Sequence, residues 1–95
     1  MTIKPLVPPT LNLNGTSSRE LVLQHAKVLY ALVALQRTMA EASPHGRDYQ
    51  TKPGEYVSAR EAWLQRMQIV SKLTAEVEDY AADVLKQADA RRKAS

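Results

Sequence analysis

Ninety-five residues make one domain at most, at the usual ~100–200 residues per domain. Apolar residues are 44% and charged residues 24%, a folded rather than a disordered mix. Cysteine is absent, which excludes a disulfide scaffold, thiol catalysis and Cys-ligated zinc, and a net charge of +3 is too mild for a dedicated nucleic-acid binder.

The chain opens with an arm. Residues 1–17 hold Pro5, Pro8 and Pro9, which fix φ and push their neighbours out of helix, so an extended course is expected. Ile3, Leu6, Val7, Leu11 and Leu13 are too many apolar residues for a solvated tail. The arm is expected to dock on a helix, of its own chain or of a neighbouring subunit. It lacks the ~7–15-residue apolar core of a signal peptide. No stretch approaches the ~18 apolar residues of a membrane span. The expected setting is a cytoplasm, without membrane contact.

Asn14-Gly15-Thr16-Ser17 reads as a turn and helix start. Ser17 with Glu20 forms the S-x-x-E pattern of a capping box. Residues 18–95 are expected to form a helical hairpin, with helices over about 18–42 and 55–92. Between them, Ser43–Gly54 carries two prolines and two glycines, which end any helix. It is long for a plain joint between helices, where ~2–8 residues are usual.

The first helix is apolar on most of its girth. Leu21, His25, Val28, Leu32, Leu35 and Met39 follow alternating steps of four and three, a coiled-coil seam. Val22, Ala26, Leu29, Val33 and Ala40 form a second stripe, and Leu23 and Tyr30 add a third side. One partner helix cannot cover all of this. The second helix repeats Tyr56, Trp63, Val70, Val77 and Val84 every seven residues, with charge on its other face. A lone core of this size is marginal without disulfides or metals. The fold class expected is therefore all-α: a two-helix antiparallel hairpin with an extended N-terminal arm, assembled as a homo-oligomeric bundle.

Two segments are candidates for chemistry. Asn14, Thr16, Ser17 and Arg19 place hydroxyls, an amide and a guanidinium at a helix start, whose free N–H groups suit a phosphate or carboxylate. The bland reading is capping alone, and Glu20 favours it, because its carboxylate competes with an anion. The second segment is Pro44-His45-Gly46-Arg47-Asp48-Tyr49. There Gly46 permits a tight turn and Arg47 offers a planar fork for an anion. Asp48 orients that fork, Tyr49 stacks or donates its hydroxyl, and His45 adds a hydrogen bond. The bland reading is a structural turn, with Arg47 paired to Asp48. In a single hairpin the two segments lie at opposite ends, so one site needs antiparallel or head-to-tail subunits.

Other polar groups read as structural. His25 sits on the seam as a hydrogen-bonded core or interface histidine. Glu76, Asp79 and Asp83 read as a solvated face, and Arg91-Arg92-Lys93 complements a helix C-terminus. No nucleophile elbow or H-E-x-x-H pattern is present. No catalytic residue, metal site or cofactor is expected, and the chain reads as no enzyme.

The start Leu11-Asn12-Leu13-Asn14-Gly15-Thr16-Ser17, followed by the Pro44–Tyr49 loop between two helices, resembles a group of small phage and prophage proteins. These carry an L-x-L-N-G-T-S start and a P-[HN]-G-R-D-Y loop. The resemblance implies a phage context and a host-cell cytoplasm rather than a mechanism. In size, helical character and expected oligomerisation the chain is also similar to anti-defence sponge proteins, which bury cyclic nucleotide messengers between subunits. The function expected first is non-enzymatic: sequestering a phosphate-bearing nucleotide signal at subunit junctions. Its partners are then further copies of itself and a nucleotide-like small molecule. The alternative is a structural or protein-interaction hairpin with no small ligand. It would inhibit a host defence protein or form part of a virion. Nucleic acid ranks last, since ten acidic residues offset the basic ones.

Overall fold

The computed structural model describes residues 3–94. It consists of α1 (Ser18–Glu41), a short 3-10 turn (Gly46–Tyr49) and α2 (Pro53–Ala94). No strand occurs among the described residues.

Local chemistry sets each boundary. Ser17 caps α1, its Oγ accepting the Glu20 N–H at 3.2 Å. The return bond of the capping box, from the Ser17 N–H to the Glu20 carboxylate, is not formed. α1 stops one residue before the expected end, at Glu41, where Ala42 takes φ −90° and ψ 6°. Pro44 follows and bars continuation. α2 starts two residues earlier than expected. Pro53 and Gly54 read as breakers, but proline suits the first helical position, where its missing N–H has no intrahelical partner to lose. At the far end α2 runs two residues past Arg92, to Ala94.

The helices run antiparallel. Near one end His25 stacks on Tyr80, with ring centroids 4.3 Å apart. Towards the other, Trp63 Nε1 donates to the Met39 carbonyl at 2.8 Å. Higher numbers in α1 thus meet lower numbers in α2. Among the described residues Leu32, Val77 and Val84 are the buried apolar ones. Thr74 is buried beside them, its hydroxyl donating to the Val70 carbonyl at 2.8 Å. His25 Nδ1 lies 2.7 Å from the Leu21 carbonyl, the place of a hydrogen-bonded core histidine.

The arm docks on its own α2. It runs parallel to that helix, with Ile3 near Ile69 and Leu11 at Gln87. The lengths match. Nine extended residues span ~25–28 Å at ~3.1 Å each. Eighteen helical steps span ~27 Å. Gln87 clamps the arm: its Oε1 accepts the Leu11 N–H at 3.0 Å and its Nε2 donates to the Pro9 carbonyl at 2.7 Å. The same Nε2 donates to Asp83 at 2.8 Å, which orients the amide. Gln87→Ala is expected to release the arm, speeding hydrogen exchange at the Leu11 amide about ten- to a hundredfold. Unchanged protection there would mean that Gln87 does not hold the arm.

The molecule is long and thin, 68 × 26 × 19 Å. Its radius of gyration is 19.3 Å, against ~12 Å for a compact domain of this length. It exposes 7849 Å², where a compact monomer of 10.6 kDa exposes about 5,500 Å². Much of what stays uncovered is apolar, including Leu13, Leu23, Tyr30, Ile69 and Leu85. Among the described residues no helix is long and apolar enough to cross a membrane.

Candidate functional site

The first segment is shaped by a residue that the motif reading passed over. Asn12 Oδ1 accepts the Asn14 N–H at 3.0 Å, and the Asn12 carbonyl accepts the Gly15 N–H at 3.3 Å. This is an Asx turn closed by a backbone turn. Asn12 Nδ2 also donates to the Thr10 carbonyl at 3.3 Å. A Cβ on Gly15 would stand 3.0 Å from Asn12 Nδ2, so the Asn12 amide would have to shift by a few tenths of an ångström to admit one. Its φ is not positive. Ser17 is committed to the cap, whereas the Asn14, Thr16 and Arg19 side chains are exposed and make no hydrogen bond or ion pair among the described residues.

The second segment is the 3-10 turn. His45 Nδ1 accepts the Arg47 N–H at 3.2 Å, so this histidine caps the turn through a ring nitrogen. The His45 carbonyl accepts the Asp48 N–H at 3.0 Å. Two expectations change here. Gly46 has no positive φ, and a Cβ on it would meet the Tyr56 ring at an ordinary 3.9 Å, so the turn does not depend on glycine. Arg47 and Asp48 do not pair; both side chains are exposed and unpartnered among the described residues. Tyr49 is half-buried, its ring 5.9 Å from that of Tyr56, so one face of it serves packing.

Within one chain the two segments do not meet. The 24 residues of α1 separate them by ~36 Å. Neither lines the recesses beside the arm. One of these is formed by Pro5, Leu6, Pro8, Glu76, Asp79, Tyr80 and Asp83. A shallow third recess reaches Ser18 and Arg19, but its other walls are Val22, Leu23, Leu85 and Ala88. Among the described residues no three His, Asp or Glu side chains form a group able to hold a metal ion. Asp83 of the acidic face is engaged by Gln87 instead.

What one chain offers, then, is two exposed polar ends joined by apolar flanks. The first end presents Thr16 and Arg19, the second Arg47, Asp48 and the edge of His45. Each can take one anionic group in hydrogen bonds from solvent. Neither end encloses a ligand. Gln87 and Asn12 escaped the sequence reading for different reasons. Asn12 in L-N-L-N-G carries an Asx-turn signal, whereas a glutamine in a charged helix carries none.

Comparison with known proteins returns no matching family model, no characterised relative and no matching solved structure.

Proposed function

We propose that the chain is a non-enzymatic binding protein that works as a homo-oligomer of helical hairpins. The observation that carries this reading is the uncovered apolar surface. The chain exposes roughly 2,300 Å² more than a compact monomer of its mass. Each partner in a standard interface buries ~800 Å². Apolar side chains such as Tyr30, 78% exposed, and Leu23, 52% exposed, lie on a regular helix rather than on loose loops. A rigid apolar face of this kind marks a binding surface. In the phage setting that the sequence resembles, the same surface would serve an inhibitor of a host protein or a virion part.

A second reading rests on Arg19 and Arg47, two exposed guanidinium groups without protein partners among the described residues. At a junction between subunits they would hold the phosphates of a nucleotide signal, with Asn14, Thr16 and Ser17 from one copy and His45, Asp48 and Tyr49 from another. This is the sequestering function expected from the sequence, and it requires the oligomer.

Thermal melting separates the readings. For the homo-oligomer, Tm rises with protein concentration. For the nucleotide reading, a panel of cyclic and linear nucleotides contains one that adds ~2.7 kcal/mol of stability at 100 times its Kd. Arg47→Ala or Thr16→Ala then abolishes that gain. A concentration-dependent Tm with no nucleotide effect leaves the interaction hairpin. A Tm independent of concentration contradicts both.

A further inference from the structure

We propose that Asn14 is a site of spontaneous covalent modification, where the chain converts its own asparagine to aspartyl and isoaspartyl forms, and that Asn12 sets the rate. The proposal is independent of the oligomer and nucleotide readings. The chain has two asparagines, Asn12 and Asn14, and only Asn14 is followed by glycine. The amide carbon of an asparagine is an electrophile, and the backbone nitrogen of the next residue can close a five-membered ring onto it. A side chain on that next residue crowds the approach, and glycine has none.

The fold separates the two asparagines. The Asn12 amide is held at both ends: Oδ1 accepts the Asn14 N–H at 3.0 Å and Nδ2 donates to the Thr10 carbonyl at 3.3 Å. Its next residue, Leu13, carries a branched side chain. The Asn14 side chain is exposed and makes no hydrogen bond among the described residues. The Gly15 N–H that would attack it donates to the Asn12 carbonyl at 3.3 Å, outside the ~2.7–3.2 Å of a well-formed bond.

The segment is anchored on both sides and loose between. Gln87 ties Leu11 to α2, and the cap ties Ser17 to α1. Residues 12–16 are exposed, and every hydrogen bond they make among the described residues involves Asn12. Opening an exposed turn held by so few bonds is a local event that leaves both helices intact. Once it opens, the Gly15 nitrogen attacks Asn14 Cγ. The new C–N bond forms, the Cγ–Nδ2 bond breaks, and the Gly15 proton leaves with the amide nitrogen as ammonia. Water then adds to either carbonyl carbon of the cyclic imide and opens the ring. One opening gives an aspartyl link, the other an isoaspartyl link.

The product alters this end of the molecule. A carboxylate replaces an amide and lowers the net charge of +3 by one. It stands on the segment that carries Thr16 and Arg19, where it repels an incoming anion. The isoaspartyl form also adds a methylene to the main chain between the Gln87 clamp and the α1 cap.

Peptide mapping by mass spectrometry tests this on the full folded chain, held at physiological temperature and mildly alkaline pH. Asn14 is expected to lose ammonia at least about tenfold faster than Asn12. An isoaspartyl methyltransferase should label the product, whereas an Asn14→Gln chain, whose longer side chain cannot close the five-membered ring, stays unlabelled. Asn12→Ala removes the bond to the Asn14 N–H, so conversion at Asn14 rises about fivefold. Gly15→Ala lowers it at least about tenfold. A Cβ on Gly15 displaces the Asn12 amide, so a looser turn alone predicts the opposite sign. Equal rates at Asn12 and Asn14, labelling of Asn14→Gln, or an undiminished rate in Gly15→Ala overturns the site. An unchanged rate in Asn12→Ala overturns the control by Asn12.

Discussion

Trp63→Ala is expected to remove about 3 kcal/mol of stability, the lower end of the range for truncating a large aromatic residue, because the indole is half-buried. Two effects add. The ring supplies apolar contact where the end of α1 meets α2. Its Nε1–H also donates to the Met39 carbonyl at 2.8 Å. That carbonyl belongs to the last turn of α1, which has no intrahelical donor for it, and its other partner is the Ser43 hydroxyl at a long 3.4 Å. No basic side chain supports this turn either. Trp63 thus closes the helix end as well as the hairpin. Small single cores supply ~3–5 kcal/mol, so the loss is a large share of the whole. Trp63→Phe keeps most of the apolar area and loses only the bond, at about 1 kcal/mol. Urea unfolding followed by circular dichroism, at one protein concentration, checks both values. Equal stability of Trp63→Ala and the unmodified chain would contradict the placement of Trp63 at this seam.

Val84→Asp is expected to abolish cooperative folding. Val84 is 1% exposed, the deepest side chain described, and lies in the core with Leu32 and Val77. A carboxylate there meets no cation and costs several kcal/mol in desolvation. The same change at exposed Ala82 costs only helix propensity, about 0.7 kcal/mol. Far-UV circular dichroism and a thermal scan distinguish the two. A Val84→Asp chain that melts as sharply as Ala82→Asp would contradict the packing of α2 on α1.

Much of this architecture is legible in the residues. The four-three steps from Leu21 to Met39 and the seven-residue repeat from Trp63 to Val84 announce two long helices, because burial on one face imposes that spacing. Ser17 announces the start of the first. The arm docks as expected, but Gln87 holds it by its backbone, while Ile3, Val7 and Leu13 stay exposed. The departures have local causes. Pro53 and Gly54 have a breaker's chemistry, yet proline is favoured at the position it takes. Arg47 and Asp48 are neighbours in sequence, but adjacent residues on a helical turn point apart, which explains their failure to pair.

The candidate site was less legible, for a different reason. Composition shows which side chains can bind an anion, not which of them fold toward one another. Asn14–Arg19 and His45–Tyr49 are set at opposite ends by the length of α1, and only a second chain can join them. Hydrophobic periodicity has the same limit. It marks Leu23 and Tyr30 as apolar positions, and one chain leaves both exposed. The large uncovered surface is where the sequence pattern and the single-chain fold disagree, and the proposed oligomer would resolve the disagreement.

The molar mass of the unmodified chain in solution tests this account most directly. Size-exclusion chromatography with light scattering, at micromolar concentration, should give a mass of at least twice 10.6 kDa. A single species of 10.6 kDa at every concentration, still helical and still melting cooperatively, would contradict it.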